Sequence, residues 1–369
     1  MTESEIIQAL KKNEPFKDLP NVRVANLVAK SDRKQANFDA KFDLQFGETI
    51  VEVYAEIKNI CTPKQVEQIG SWLSRLKATQ KGAAFVLVCP GLSQQSQRVC
   101  FERNVDFIDL AGNVFINVPG KLLLQRTGLE SRREGSPSFY RNPFSGKSSR
   151  VLRVLLQKPK AWTLSEIIEE LAKETRLTEC AGVSFEISFS LASRVLRSLE
   201  EELLAMRKNS AVIVPEPRRL LLRWAQEYKD RYRWCLRRSF KVSNPFGPGL
   251  KAIRQALDGL VKPRCYAFTG AAATSLTAPF VDADPINLYV SEDAGAENLR
   301  SFSGTSIGPD LRVIYAPDAG VLMYSSVVEG IPIVSDIQSY LDLFAMGGRD
   351  LKQADYLLQT RIEPMWVNS

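Results

Sequence analysis

The sequence predicts a mixed α/β protein of several domains, in which a mostly helical block lies between two blocks of helices and strands. The chain has 369 residues, which is long for one hydrophobic core and enough for two or three. Helix and strand patterns alternate near both ends, and clusters of polar residues, glycine and proline separate these ends from the middle. The predicted division is a domain over residues 1–125, a linker over 126–146, a domain over 147–242 and a C-terminal α+β domain over 250–369.

Composition narrows the classes of function. Hydrophobic residues make up 44% of the chain and charged residues 25%, as in ordinary globular proteins. No apolar run approaches the roughly 20 residues that cross a bilayer, and the N-terminus lacks the basic and apolar regions of a secretion signal, so we expect a cytoplasmic protein with no membrane partner. The chain has no histidine, which excludes classical zinc fingers, Ser-His-Asp hydrolases and Cys-His proteases. A bound metal would need carboxylate ligands, which favours Mg²⁺ or Mn²⁺.

The cysteines show no pairing pattern in the sequence. No two cysteines form a CxxC pair, and we expect all of them to be buried free thiols. They are Cys61, Cys89, Cys100, Cys180, Cys235 and Cys265.

The net charge of the chain is +7, yet the segment from Arg207 to Lys241 alone holds eleven lysines and arginines against three acids. Such a concentration of positive charge points to a polyanion as partner.

The first block is predicted to contain a hairpin with one polar face. Its strands cover residues 38–46 and 49–58 around Gly47-Glu48. Because side chains alternate along a strand, the apolar face of the second strand carries Val51, Val53, Ala55 and Ile57. Its polar face carries Glu52, Tyr54, Glu56 and Lys58. The elements that follow are predicted to be a helix over 63–80, a strand over 83–89, a helix over 93–103 and a strand over 105–116.

The order of these elements, with Asp43 thirteen residues before Glu56-Ile57-Lys58, resembles the PD-(D/E)XK nuclease superfamily over residues 1–120. The resemblance implies that Asp43 and Glu56 hold Mg²⁺ or Mn²⁺ and that Lys58 orients or polarises the attacking water. Two alternatives stay open. The acids and lysines of the hairpin are also typical of a solvated strand face. A strict two-residue turn pairs Glu56 with Asp39 instead of Asp43, and a longer turn or a bulge restores Asp43.

The middle block has the pattern of a winged helix-turn-helix. An apolar helix over residues 148–156 precedes Thr163-Leu-Ser-Glu166, a capping-box pattern that opens a second helix to about residue 174. A third helix is predicted from about residue 188 to 206, and residues 204–214 form a wing that turns at Lys208-Asn209-Ser210. The predicted contacts to double-stranded DNA are Ser190, Ser193, Arg194 and Arg197 on the third helix, Arg207 and Lys208 in the wing, and Arg218 and Arg219 after it.

Several features of this block allow other interpretations. The Ser/Arg face is also compatible with a solvated helix in a domain that contacts proteins. About thirteen residues, 175–187, separate the second and third helices, where a helix-turn-helix usually has three or four. Trp224 and Trp234 have the chemistry to stack on bases, but core packing is the more common role of tryptophan.

The last block resembles a nucleotidyltransferase that has lost its metal site. Phe268-Thr-Gly-Ala precedes Pro285-Ile-Asn-Leu-Tyr-Val290, where the family has a strand of the form D-h-D-h-x-V. The two acid positions are Pro285 and Asn287, so the pattern indicates a non-catalytic relative. Asp282 and Asp284 are near but out of register.

Several stretches together resemble AbiEi-type antitoxins of type IV toxin–antitoxin systems over residues 105–345. They include Val105-Asp-Phe-Ile-Asp-Leu-Ala-Gly-Asn-Val114, Ala161-Trp-Thr-Leu-Ser-Glu166 and Val334-Ser-Asp-Ile-Gln-Ser-Tyr-Leu-Asp-Leu343. The resemblance implies a cytoplasmic DNA-binding repressor that opposes a nucleotidyltransferase toxin. The minimal antitoxin has no nuclease-like N-terminal block.

Three functions therefore follow as hypotheses. The first is a DNA-binding transcriptional regulator that needs no cofactor. The second is a Mg²⁺- or Mn²⁺-dependent DNA endonuclease targeted by the winged helix. The third is an interaction protein whose C-terminal block holds a toxin or another subunit. Winged-helix regulators are often dimers, and a homodimer stays open because the sequence has no heptad or other dimer seam.

Overall fold

The computed structural model forms two compact units, each with its own core. The first unit comprises residues 1–138 with 201–203, and the second comprises 139–200 with 204–369. The residues that the structure describes are 1–30, 38–129, 142–178, 180, 183–247, 249–262, 265–291, 296–301 and 307–367. Residues 130–141 of the linker predicted over 126–146 therefore lie outside the described residues.

A large mixed sheet forms the centre of the first unit. Its strands are β1 (Val22–Ala29), β2 (Ala40–Phe46), β3 (Thr49–Ile57), β4 (Ala84–Cys89), β5 (Asp106–Asp109), β6 (Val114–Val118) and β7 (Leu122–Arg126). Neighbours in the sheet follow chain order. The pairings β3–β4 and β4–β5 are parallel, and the other four are antiparallel. The chain is thus a mixed α/β protein in this part, as predicted.

Helices connect the parallel strands and begin the chain. They are α1 (Glu3–Lys11), α2 (Pro63–Thr79) and α3 (Gln94–Glu102). The start of α2 follows from its sequence, because Thr62 and Gln65 form a capping box and Pro63 occupies the first turn. Helix α1 begins with the same device, formed by Thr2 and Glu5.

The hairpin of β2 and β3 follows the predicted alternation. Val51, Val53 and Ala55 are fully buried, and the residues between them are half-buried. Phe46 pairs with Thr49, so the turn has two residues, and Gly47 adopts a φ of +58° that favours glycine. The turn length fixes which residues of the two strands lie opposite each other.

The strand predicted over residues 105–116 is instead two antiparallel strands, β5 and β6. The chain reverses at residues 110–113, where Gly112 has a φ of +99°. Asp109 stabilises this reversal, since its carboxylate accepts hydrogen bonds from the backbone and side-chain amides of Asn113. Asp109, Gly112 and Asn113 are residue types that favour turns, and they were the signal for this reversal in the sequence.

The second unit begins with three helices and a hairpin. The helices are α4 (Ser149–Gln157), α5 (Leu164–Thr178) and α6 (Phe189–Glu201), and the hairpin consists of β8 (Met206–Lys208) and β9 (Ala211–Ile213). Trp162 forms an isolated antiparallel bridge with Val212 of β9. The long helix α7 (Pro217–Arg237) follows. Helix α5 ends four residues after its predicted end, and α6 ends five residues before its predicted end. Residues 179, 181 and 182 of the segment between them lie outside the described residues.

A second mixed sheet fills the C-terminal part. Its strands are β10 (Phe240–Val242), β11 (Tyr266–Thr269), β12 (Ile286–Val290), β13 (Leu311–Tyr315), β14 (Ser326–Val328) and β15 (Ile331–Ile333), in the spatial order β10-β13-β12-β11-β15-β14. The helices are α8 (Leu250–Asp258), α9 (Ala271–Thr274), α10 (Asp336–Met346), α11 (Arg349–Leu357) and α12 (Glu363–Val367). Within the described ranges, none of the helices is long and apolar enough to cross a membrane.

A buried polar network joins α7 to α10 and the second sheet. Asp342 of α10 accepts hydrogen bonds from Tyr228 of α7 at 2.7 Å and from Tyr289 of β12 at 2.9 Å. Thr269 and Gln338 also donate to it. Burial raises the pKa of Asp342, and these four hydrogen bonds oppose that shift. The network fixes α7 against the C-terminal sheet, because a buried carboxylate is costly without its partners.

The expectation of six free thiols is wrong for two of them. Cys180 and Cys265 form a disulfide, with their Cα atoms 5.2 Å apart. Sequence spacing could not reveal the pair, because 85 positions separate the two cysteines. Cys61, Cys89, Cys100 and Cys235 are free and buried, as expected.

Candidate functional site

One face of α6 carries the polar residues that the sequence singled out. Ser190, Arg194 and Arg197 are exposed, and Ser193 is half-buried. Leu191, Val195 and Leu199 lie on the opposite face and belong to the core of the second unit. The amphipathic pattern of the sequence therefore corresponds to the burial of the helix, and its Ser/Arg face is accessible to a partner.

Local hydrogen bonds define the start of α6 and orient one arginine. The Ser188 side chain accepts a hydrogen bond from the backbone amide of Leu191 at 3.2 Å, as an N-cap does. Arg194 donates from Nε to the carbonyl oxygen of Ser190 at 3.1 Å. Arg197 has no ion-pair partner among the described residues. Both guanidinium groups therefore keep most of their donors available.

The hairpin of β8 and β9 is anchored to the helices by Trp162. The backbone amide of Trp162 donates to Val212 at 2.9 Å, and that of Val212 donates back at 2.7 Å. The turn consists of Asn209 and Ser210, and Asn209 has a φ of +57° that asparagine tolerates well. The tip of the hairpin is exposed and is joined rigidly to the helical core.

The other four predicted DNA contacts differ in their availability. Lys208 is exposed and has no ion-pair partner in the part of the chain that the structure describes. Arg207 donates two hydrogen bonds to Glu200, at 3.1 and 2.8 Å. Arg218 pairs with Glu363 at 3.3 Å, and Arg219 pairs with Glu216 at 3.5 Å. Lys208 is thus the best placed of the four to meet a phosphate.

The remainder of α7 presents a line of cations and one exposed indole. Arg231, Arg233, Arg237 and Arg238 are exposed. Trp224 is fully buried and donates to the carbonyl oxygen of Phe144 at 3.1 Å, which leaves it no stacking role. Trp234 is 52% exposed, and the guanidinium of Arg238 lies 4.9 Å from the centre of its ring.

The first unit contains a second group of interest, at the open end of the β2–β3 hairpin. Ala40 pairs with Ala55, so Asp39 lies next to Glu56. The Asp39 carboxylate accepts a hydrogen bond from the backbone amide of Ile57 at 2.9 Å. Lys58 donates to Glu56 at 2.6 Å. The register therefore brings together Asp39, Glu56 and Lys58.

Charges around Lys58 stabilise its protonated form. Burial acts to lower the pKa of Lys58, but the hydrogen bond to Glu56 and the negative charges of Glu56, Asp39 and Glu3 outweigh it, and the pKa is raised. Glu3 lies on α1, so this helix adds a third carboxylate to the surroundings of the lysine. At neutral pH the group holds one ammonium among three acids.

Asp43 is not part of this group, contrary to the expectation from the sequence. It lies on the same strand face as Asp39 but opposite Glu52, and its carboxylate accepts a hydrogen bond from Asn26 at 2.8 Å. The two-residue turn at Gly47-Glu48 is the physical reason, because no bulge in β2 or β3 shifts the register toward Asp43. Glu52 in turn pairs with Lys41.

Sequence analysis also missed Glu3. The pattern Thr2-Glu-Ser-Glu5 is a capping-box signature that could have revealed α1, but the position of Glu3 near Lys58 depends on the packing of that helix. In the described ranges, three or more acidic or cysteine side chains nowhere meet in a group able to hold a metal ion. Asp39 and Glu56 alone offer two carboxylates.

Comparison with known proteins identifies no family. No family model matches the chain, and no curated protein matches it. Among solved structures, a chain described as the structure of EndoMS in apo form is similar, with a TM-score of 0.21 and 15% sequence identity. The similarity covers 30% of this chain, which spans 46% of that neighbour.

Proposed function

We propose that the second unit binds double-stranded DNA, with α5 and α6 as a helix-turn-helix and the β8–β9 hairpin as its wing. The observation that carries this proposal is the exposed face of α6, where Ser190, Arg194 and Arg197 point away from the core. A major groove admits an α-helix, and proteins of this type insert the second helix of the motif into it.

The residue types on α6 suit base recognition. The small side chains of Ser190 and Ser193 allow close approach of the helix to the groove. The guanidinium groups of Arg194 and Arg197 can each form two hydrogen bonds with a guanine edge. Lys208 at the wing tip would contact a backbone phosphate, which positions the helix without selecting a sequence.

The length of the segment between α5 and α6 argues for an unusual variant of the motif. Ten residues separate Thr178 from Phe189, where three or four are usual. Phe185 within this segment is buried in the core of the second unit, and its backbone amide donates to Thr175 of α5 at 2.8 Å. Phe185 thus packs this part of the connection against the core of the second unit.

The experiment is a fluorescence-anisotropy titration of labelled duplex DNA with the full chain. Arg194→Ala and Arg197→Ala should each weaken binding about tenfold, because a bidentate base contact contributes about 1–3 kcal/mol. Arg254→Ala on α8 is the control, since it removes a half-buried arginine that pairs with Asp258 at 2.9 Å in the same unit, and it should change the affinity little. Equal affinities of all variants, or no binding by the parent chain at low salt, would overturn the proposal.

A second candidate function is metal-dependent DNA cleavage by the first unit. The observation that favours it is the convergence of Asp39, Glu56 and Lys58 at one end of the β2–β3 hairpin. Two carboxylates suit Mg²⁺ or Mn²⁺, which takes its remaining ligands from water and substrate phosphates. Such an ion would activate water and offset phosphate charge, while Lys58 would stabilise the charge that develops on the phosphate.

The test of this candidate compares Asp39, which directly precedes β2, with Asp43 of β2. Linear and branched DNA would be incubated with the full chain and Mg²⁺ or Mn²⁺ and resolved on denaturing gels. Asp39→Ala, Glu56→Ala and Lys58→Ala should abolish cleavage, whereas Asp43→Ala should retain it. Intact DNA with the parent chain would contradict the candidate, and so would loss of cleavage in Asp43→Ala with Asp39→Ala still active.

The role that these activities would serve is also a proposal. The resemblance of residues 105–345 to AbiEi-type antitoxins favours a cytoplasmic regulator that represses its own operon and opposes a nucleotidyltransferase-type toxin, as a monomer or homodimer. Binding of the full chain to DNA upstream of its own gene, in preference to scrambled DNA of equal length, tests the regulatory part. Recovery of a nucleotidyltransferase with the chain from native lysate tests the partner.

A further inference from the structure

The second half of α7 presents an exposed indole among arginines. Trp234 is 52% exposed, whereas Tyr232 on the other side of the helix is fully buried. Side chains three and four positions apart are neighbours on a helix, so the indole lies next to three arginines that are all exposed. We call this group the Trp234 patch, which consists of Arg231, Trp234, Arg237 and Arg238.

The arginines of the Trp234 patch differ from the other arginines of α7 in their ion pairs. The others pair with acids at distances of 2.7 to 3.7 Å, and they are Arg218, Arg219, Arg223 and Arg233. Arg231, Arg237 and Arg238 have no ion-pair partner in the ranges that the structure describes. Residues 230–241 contain five cations, and their one acid, Asp230, pairs with Arg233. Unbalanced positive charge at the surface attracts a polyanion.

Trp234 adds a flat aromatic surface to this charge. The guanidinium of Arg238 lies 4.9 Å from the centre of the indole ring, which is a cation–π contact. No other aromatic ring stacks on Trp234 among the described residues, and the exposed part of the indole is open to a flat group of a partner. The patch therefore combines a stacking surface with three free guanidinium groups.

An exposed indole distinguishes an unpaired nucleic-acid strand from a duplex. Inside a duplex each base is stacked between its neighbours, so its flat face is not available to a side chain. In a single strand the bases can turn outward and stack on aromatic side chains, while the phosphates contact nearby cations. Arginines alone would bind the phosphates of both forms.

The Trp234 patch lies far along α7 from the wing. Strand β9 of the wing ends at Ile213, four residues before α7 begins at Pro217. Trp234 follows Pro217 by seventeen residues, which corresponds to about 25 Å along a helix axis. Tyr228 and Tyr232 anchor this half of α7 in the core of the second unit. The patch is thus a fixed surface at the other end of the helix.

From these features we infer that the Trp234 patch binds single-stranded DNA. A base stacks on Trp234, and phosphates of the same strand contact Arg231, Arg237 and Arg238. The α6 face proposed to bind duplex DNA takes no part in this contact. Only the choice of DNA over RNA rests on the proposed function, because stacking and phosphate contacts are common to both nucleic acids.

The experiment is a fluorescence-anisotropy titration of a labelled oligothymidylate of about 20 nucleotides with the full chain at low salt. EDTA is present, so that no metal-dependent cleavage removes the probe. The parent chain should bind this strand, and Trp234→Ala should weaken binding about tenfold, as for loss of one base–aromatic stack. Trp234→Phe should keep most of the affinity. Arg237→Ala should reduce the slope of log affinity against log salt by about 0.7, as for loss of one phosphate contact on a single strand.

Tryptophan fluorescence gives a second readout that a structural role of Trp234 would not produce. Stacking of a base on the indole should quench part of the emission when the strand is added, and Trp234→Phe should lack that part. The matched control is Phe280→Ala, which removes another aromatic side chain of the second unit, 55% exposed. It should bind the strand like the parent chain, and circular dichroism would verify that the variants are folded.

Duplex DNA separates this inference from the proposed function. Arg194→Ala should weaken duplex binding and leave oligothymidylate binding unchanged, whereas Trp234→Ala should do the reverse. Failure of duplex binding alone would count against the α6 proposal only. The inference would be overturned by no binding of the strand, by unchanged affinity in Trp234→Ala, or by equal weakening in Arg194→Ala. Tighter binding of oligouridylate of the same length would overturn the choice of DNA.

Discussion

Asp39 lies beside Glu56 because of a turn that contains only two residues. The sequence allowed both Asp39 and Asp43 as partners of Glu56, and the choice depended on the length of this turn. The types of residue at the open end of the hairpin could therefore be predicted from the sequence, but their grouping could not. The position of Glu3 depended on contacts between parts of the chain that are still farther apart, since α1 ends at Lys11 and β3 begins at Thr49.

The exposed face of α6 could be predicted from local sequence alone. A stripe of leucine and valine at helical spacing determines which side of a helix is buried, and the Ser/Arg side follows from it. The sequence could not show which of the arginines form ion pairs, or with which acids. Arg207 and Arg219 pair with glutamates near them in sequence, whereas Arg218 pairs with Glu363, nearly 150 positions away.

Asp106 should make the stability of the first unit depend on pH. Burial raises its pKa to about 6, although its ion pair with Lys77 and a backbone hydrogen bond from Asn117 oppose the shift. Since the folded pKa is above the unfolded value of 3.8, the stability that this group contributes is complete below pH 4 and is lost as the pH rises through 6.

Asp106→Asn should remove this dependence. Between pH 4 and pH 7, the free energy of unfolding of the parent chain should fall relative to that of the variant by on the order of 2–3 kcal/mol, because one pKa unit is about 1.4 kcal/mol. Urea unfolding of the full chain, followed by circular dichroism at several pH values, measures it. A difference that is constant over this range would show that Asp106 has no shifted pKa.

At the scale of elements, the helices and strands with strong local sequence signals could be predicted, and features that depend on tertiary contacts could not. The β2–β3 hairpin, α2 and α3 each have a cap, a turn or an alternation that acts over a few residues, and β4 is a short run of apolar residues that are all buried. Strand β1 lacks these signals, because it is interrupted by an irregular register between Ala25 and Val28. The capping box of α5 is present as predicted: Thr163 and Glu166 bond each other's backbone amides.

The Cys180–Cys265 disulfide should stabilise the second unit, because it links two elements that are far apart in sequence. It joins the segment between α5 and α6 to the residue just before β11. Replacing both cysteines by alanine should lower the free energy of unfolding by about 2–4 kcal/mol, as for a bond that closes a long loop. Denaturant unfolding without reductant measures the change, and Cys235→Ala is a control that removes a buried free thiol.

The same bond bears on the cytoplasmic location proposed above, because disulfides are rare in reducing cytosol and a bond that persists in the cell would contradict that location. Alkylation of thiols immediately after acid denaturation of cells should modify four of the six cysteines and leave Cys180 and Cys265 protected. Modification of all six would show that the bond is open in the cell.

At the scale of the whole molecule, the proposed DNA binding should depend on salt concentration. Counterion release makes binding weaken with salt in proportion to the number of phosphate contacts. Lys208→Ala should reduce the slope of log affinity against log salt by about one and weaken binding to all sequences equally. Lys251→Ala on α8, which pairs with Glu329 at 3.0 Å, is the control and should leave the slope unchanged. A slope unaffected by Lys208→Ala would remove the wing tip from the interface.

The most direct test of DNA binding by α6 is photocrosslinking from the helix itself. The four free thiols are buried, so a maleimide photoprobe would label an introduced surface cysteine selectively. Ser190→Cys places the probe on the exposed face of α6, and Ser326→Cys places it on the exposed strand β14 of the same unit. We predict that the probe at position 190 crosslinks to duplex DNA and that the probe at position 326 does not. Equal crosslinking from both positions, or crosslinking from position 326 alone, would contradict the claim that α6 is the DNA-reading helix.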